Sequence, residues 1–131
     1  HGTGHGVGYL LNVHEGPNRF RWKTAPGQSA CVLEEGMIAS NEPGYYVENE
    51  FGIRHENLIV CKKAEKTAYG QFMCFENLTM VPFDLDGIVP ELLSDHEKEL
   101  LNQYHAEVYT KIFPYLNEEE KQWLKEATRE I

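Results

Sequence analysis

No stretch of this 131-residue chain approaches the roughly 18–20 consecutive apolar residues that a membrane-spanning helix needs, so no membrane partner is expected. The start lacks a basic segment followed by an apolar one, so no secretory leader is expected either. Basic charge is scarce: 12 Lys and Arg stand against 21 Asp and Glu, a net charge of −9. That balance repels phosphates and excludes a nucleic-acid surface, and equally an anionic lipid surface. Cysteine is rare. Cys31, Cys61 and Cys74 are odd in number and lack C-x-x-C spacing, which excludes a disulfide framework and a zinc knuckle. Each sits among apolar neighbours and reads as a small core residue. Free thiols fit a reducing, cytoplasmic setting. There is no internal repeat and no low-complexity tract.

What is present suffices for one ordinary globular domain. His rather than Met at position 1 reads as a processed chain or a fragment. Residues 1–30 are rich in Gly, Asn and Pro and read as loop, with a short extended piece over Tyr9–Val13. A strand is predicted from Met37 to Glu42, stopped by the Pro43-Gly44 turn. Tyr45–Val47 resumes extended structure, and a further strand is predicted from Gly52 to Cys61. Alternation along it groups Ile53, His55, Asn57 and Ile59 on one face, and Arg54, Glu56, Leu58 and Val60 on the other. Lys62–Gly70 reads as a polar loop, and Gln71–Val81 as a third strand region interrupted near Glu76-Asn77. The tail from Glu91 changes character. Ser94-Asp95-His96-Glu97 forms a capping box, predicting a helix to about Phe113 with Leu100, Leu101, Tyr104, Val108 and Ile112 as its apolar stripe. Asn117 with Glu120 repeats the signal for a second helix reaching Thr128, burying Trp123, Leu124 and Ala127. His96 and His105 read as surface or packing residues.

Three polar signatures carry the chemistry: His1-Gly2-Thr3-Gly4-His5, Asn41-Glu42-Pro43-Gly44-Tyr45-Tyr46 and Gly52-Ile53-Arg54-His55-Glu56-Asn57. Each sets a metal-ligand side chain (His5, Glu42, Glu56) in apolar or glycine-rich surroundings. One imidazole and two carboxylates suit a borderline-to-hard divalent ion such as Mn, Co, Fe or Zn. Each residue also has a plainer reading. Glu42, ending an apolar strand, either faces solvent or has a cationic partner, because burial without one is costly. Glu56 either pairs with Arg54, two residues away on the same face, or binds metal with Arg54 steadying a neighbouring carboxylate. His1, His5 and His14 are flanked by glycines that let backbone approach a ligand closely.

Together with Asn12-Val13-His14-Glu15-Gly16-Pro17 and Phe51-Gly52, these segments closely resemble the C-terminal half of the catalytic domain of the Xaa-Pro aminopeptidases (aminopeptidase P), metallopeptidases of the pita-bread fold. Phe75-Glu76-Asn77-Leu78-Thr79-Met80-Val81-Pro82-Phe83 and the tail resemble the C-terminal extension of the long-chain members. The resemblance implies an α+β chain: residues 1–82 as half a pita-bread domain with a curved, mainly antiparallel sheet, and residues 83–131 as a helical extension. It implies two divalent ions, commonly Mn2+, with Zn2+ or Co2+ as alternatives, held in chain order by Asp, Asp, His, Glu and Glu. His5, Glu42 and Glu56 match the last three ligands. Glu42 also matches the acid/base, His1 and His14 the active-site histidines, and Arg54 the arginine behind a ligand. The two aspartates have no counterpart in these 131 residues. The chain alone is therefore expected to bind metal weakly or be metal-free, and to be inactive, whereas its parent cleaves peptides with an Xaa-Pro N-terminus. Exposed apolar sheet, and a tail that mediates dimers in related enzymes, imply self-association, in the simplest case a homodimer. The rival readings are a prolidase or other pita-bread metallopeptidase, and a non-catalytic pita-bread binding module.

Overall fold

A computed structural model of the chain describes residues 1–23, 26–27 and 30–131, so part of the loop expected over 1–30 lies outside the described residues. They form two compact units, His1–Thr79 and Met80–Ile131. The class is α+β, with antiparallel strands throughout the first unit and helices in the second.

In the first unit, β1 (Gly4–His5) pairs with β2 (Arg19–Phe20). β3 (Ile38–Asn41) follows, then β4 (Gly44–Val47) and β5 (Phe51–Arg54), which pair as a hairpin. β6 (Asn57–Thr67) lies between β3 and β7 (Gly70–Asn77) in a three-stranded sheet. The core sits where β3 meets the first half of β6: Ala39, Ile59, Val60 and Cys61 are buried there. β7 is an edge strand, and Phe72, Met73 and Phe75 on it are exposed.

Several expectations change. Gly52–Cys61 is not one strand, because the chain leaves the β4–β5 hairpin at Arg54 and enters another sheet at Asn57. His55 N–H bonds the Pro43 carbonyl at 3.1 Å across this break, so the strand alternation cannot run through it. Lys62–Thr67 is strand rather than loop. Its polarity reflects the exposed outer half of a long hairpin, where both faces meet water. Tyr9–Leu11 is a short 3-10 turn, closed by Gly8 N–H on the Asn12 carbonyl at 2.9 Å, instead of extended chain. Only Cys61 is buried; Cys31 is intermediate, and Cys74 is exposed on the edge strand.

In the second unit, α1 (Asp95–Ile112) and α2 (Glu118–Ala127) each begin with a complete capping box, at Ser94/Glu97 and Asn117/Glu120. Tyr104, Val108 and Leu124 form the core, lined by Met80, Phe83, Tyr109, Ile112, Phe113 and Leu116. Leu100 and Trp123, expected inside, are 51% and 60% exposed. Adjacent helix positions diverge by about 100°, so Trp123 and Leu124 cannot share one narrow buried stripe.

His105 is wholly buried on α1. Phe83 N–H donates to its Nε2 at 3.1 Å. Burial pulls the imidazole below its ordinary value; the Arg129 backbone opposes this and the Arg129 charge adds to it. The folded unit therefore binds fewer protons than the unfolded chain in the window below about pH 6.5. The stabilisation is complete above that pH and is lost as pH falls through the lower folded value. The urea midpoint of this unit, followed by the Val108 and Leu124 methyl signals, is expected to be higher at pH 7.5 than at pH 5. His105→Gln, which keeps an acceptor for Phe83, is expected to flatten that dependence; an unchanged slope would refute the assignment.

Candidate functional site

Strand geometry assembles the site. Ser40 and Glu42 stand two residues apart at the end of β3, so their side chains share a face. The β1 segment is held against β3 by Glu42 N–H on the Thr3 carbonyl at 2.8 Å and by a bridge between Gly6 and Ala39. The approach is close enough that a Cβ at Gly4 would run into the Ser40 carbonyl and the Phe20 ring. His5 is thereby laid beside Glu42.

Glu42 is buried, 7% exposed, which removes its solvent-facing reading. Its partners explain how a carboxylate is tolerated there. Ser40 Oγ donates to Oε1 at 3.0 Å, and Arg54 Nη1 donates to Oε2 at 2.7 Å. His5 Nε2 lies 3.1 Å from Oε1. His5 Nδ1 bonds the Gly6 carbonyl at 3.0 Å. A carbonyl only accepts, so Nδ1 carries a proton and Nε2 of the neutral ring offers a lone pair to an oxygen that also only accepts. Two acceptors at this distance need a positive charge shared between them, either a proton or a cation.

A metal satisfies that condition. With bonds of about 2.0–2.2 Å, adjacent N and O ligands of one ion stand roughly 3.0–3.4 Å apart, and the observed separation falls in that range. His5 and Glu42 thus fit one edge of a coordination shell. Among the described residues, no three His, Cys, Asp or Glu side chains converge as a metal-holding group. Glu56 is exposed in the crossover between β5 and β6 and is not brought into the pair.

Arg54 anchors the far side. Its Nε donates to the Tyr46 hydroxyl at 2.8 Å. That hydroxyl, then the charges of Glu42 and Glu56, hold the guanidinium firmly protonated. The Tyr46 ring occupies the space that a Cβ at Gly52 would need, directly across the β4–β5 pair. The His5 and His14 rings are 4.3 Å apart, and His1 meets Tyr46 edge-on at 5.6 Å. His1, His5, His14, Glu42 and Arg54 all line one cavity of about 460 Å³, with Arg19, Arg21 and Asn18 on its wall. Ser40 and Tyr46 were missed in the sequence. The signal for Ser40 was present, because period-two spacing pairs it with Glu42.

The profile of metallopeptidase family M24 matches residues 1–63, and that of the C-terminal region of peptidase M24 matches residues 71–131. The chain belongs to metallopeptidase family M24. Among M24 relatives, a probable Xaa-Pro aminopeptidase P of Coprinopsis cinerea is 42% identical over 136 residues, covering 100% of this chain and 22% of the relative. Aminopeptidase P2 of Arabidopsis thaliana is 44% identical over 135 residues, covering 100% of this chain and 19% of the relative. The chain thus spans about a fifth of the length of the curated relatives it matches. Its fold matches the crystal structure of X-prolyl aminopeptidase from Caenorhabditis elegans, a cytosolic enzyme with a di-nuclear active site. That match has a TM-score of 0.82 and 36% identity, covering 100% of this chain and 22% of the other. No helix among the described residues is long and apolar enough to cross a membrane.

Proposed function

We propose that this chain contributes to the active site of an Xaa-Pro aminopeptidase, a two-metal hydrolase that removes the N-terminal residue from peptides with proline in second position. The observation that carries the reading is the His5–Glu42 pair, two groups 3.1 Å apart that share either a proton or a cation, in a chain of family M24, where a cation is the natural occupant. The names of the relatives and the di-nuclear site of the structural neighbour support it. On this reading residues 1–82 are the C-terminal half of a catalytic domain and residues 83–131 its extension. His5 and Glu42 are the chain's paired ligands for two ions, with Mn2+ as first choice and Zn2+ or Co2+ as alternatives; Glu56, which stands outside that pair among the described residues, is the third by motif match alone. Such ions supply Lewis-acid polarisation of the scissile carbonyl and acidify the attacking water.

The chain's own residues do the rest. Glu42 accepts the proton of the attacking water and delivers it to the leaving proline nitrogen. His1 and His14, on the wall of the same cavity, donate N–H groups to the carbonyl oxygen as its charge develops. Arg54 holds Oε2 of Glu42 from behind, while Oε1 accepts from Ser40 and faces His5. The working compartment is the cytoplasm. Self-association, in the simplest case a homodimer, belongs to the same proposal and is supported by the apolar side chains exposed along β7; a monomeric mass by light scattering at micromolar concentration would overturn it.

Two further carboxylate ligands are required from outside these residues, so the 131-residue chain alone turns over no substrate. The test is release of the N-terminal residue from Xaa-Pro peptides with added Mn2+. The longer protein carrying this segment is expected to be active and the isolated chain inactive. Turnover by the isolated chain overturns the second statement; a metal-loaded longer protein that cleaves no such peptide overturns the function.

A further inference from the structure

We infer that Ser40 is a positioning residue: its buried hydroxyl locks the Glu42 carboxylate in register with the His5 backbone. The link to metal binding rests on the aminopeptidase reading, whereas the hydrogen-bond geometry stands without it. Ser40 is completely buried. Its Oγ accepts from His5 N–H at 3.0 Å and donates to Glu42 Oε1 at 3.0 Å. A hydroxyl has a single proton to give, and Ser40 gives it to the same oxygen that faces His5 Nε2 at 3.1 Å.

The contacts close a ring. From Ser40 one path runs to the His5 backbone and another through Glu42 to the His5 imidazole. Rotation of the carboxylate would break the Ser40 bond at Oε1 or the Arg54 bond at Oε2. Both oxygens are therefore fixed, and Oε1 keeps a lone pair directed toward His5. The base of the ring is rigid, because Ser40 is register-paired with Leu58 in the β3–β6 ladder. Ligand groups steadied by an outer hydrogen bond typically lose about 10–100-fold in metal affinity when that bond is removed.

The experiment compares wild-type 131-residue chain with Ser40→Thr, which keeps the hydroxyl, and Ser40→Val, which replaces it with a methyl of nearly the same shape. Two quantities are read: Mn2+ affinity from paramagnetic broadening of the His5 amide signal, and hydrogen exchange of that amide without metal. Ser40→Val is expected to weaken Mn2+ binding by about tenfold or more and to speed His5 exchange by a similar factor. Ser40→Thr is expected to stay near wild type on both. Equal behaviour of the two variants overturns the proposal, since packing rather than the hydroxyl would then decide. If a β-branched variant unfolds, Ser40→Ala replaces the pair: faster His5 exchange sustains the proposal and unchanged exchange overturns it. Wild-type chain that shows no Mn2+ broadening at His5 matches the weak or absent metal binding expected of these residues without the two aspartates, and the exchange comparison then decides Ser40 by itself: faster His5 exchange in Ser40→Val than in Ser40→Thr sustains the proposal, and equal exchange overturns it.

Discussion

Leu124→Ala is expected to remove most of the stability of the helical unit. Leu124 is 1% exposed and packs in a hydrophobic core whose other buried members are few: Val108 at 0% and Tyr104 at 8%. Truncating a buried leucine costs about 2–5 kcal/mol, through lost transfer energy and the cavity left behind. A unit of about fifty residues holds only ~3–8 kcal/mol in total, at 0.05–0.15 kcal/mol per residue. The cavity therefore competes with the whole margin. Trp123→Ala is the control. Its neighbour in sequence is larger but 60% exposed, so its removal is expected to cost within about 0.5 kcal/mol. Urea unfolding followed by helical circular dichroism measures both. Equal losses for the two variants would contradict the packing described for α2.

That contrast also marks how far the sequence could be read. Both helices were legible because their signals are local: the Ser94/Glu97 and Asn117/Glu120 boxes act within one turn, and both are formed. Which residue of an adjacent apolar pair points inward is decided by the helix's azimuth against Tyr104 and Val108, a tertiary fact. The strand errors have the same origin. Nothing local in Arg54-His55-Glu56-Asn57 announces that the chain changes sheets there; the partner strands β4 and β3 decide it. Lys62–Thr67 looked like loop because polarity reports exposure, and a hairpin arm with two wet faces is as polar as a loop. At the candidate site the residue types were legible from their motifs, and the resemblance grouped His5, Glu42 and Arg54, while the contacts that bring them together were not legible. His5 and Glu42 meet through a long-range approach of β1 to β3. Arg54 reaches Glu42 across the β4–β5 hairpin rather than serving Glu56 alone.

Glu42→Gln is expected to abolish Xaa-Pro cleavage by the longer protein while leaving the fold intact. The amide is nearly isosteric with the carboxylate and keeps two of its neighbours: its oxygen accepts from Arg54, and its NH2 donates to the His5 Nε2 lone pair, while the Ser40 hydroxyl gives up the acceptor it has at Oε1. Folding is thereby relieved of a buried charge, although Arg54 loses a counter-ion. The chemistry is not relieved. A neutral amide neither takes a proton from the attacking water nor returns it to the leaving nitrogen, and general acid–base catalysis of this kind contributes roughly 10²–10⁴-fold. The loss of a charged ligand weakens the cation site as well. The expected result is a fall in kcat/KM of at least about 100-fold, together with weaker Mn2+ uptake and an unfolding midpoint close to wild type. Glu118→Gln, an exposed carboxylate at the start of α2, is the matched control and is expected to change neither. If Glu42→Gln retained activity within tenfold of wild type, Glu42 could not be the acid/base, and the His5–Glu42 pair would be a structural contact held together by a proton.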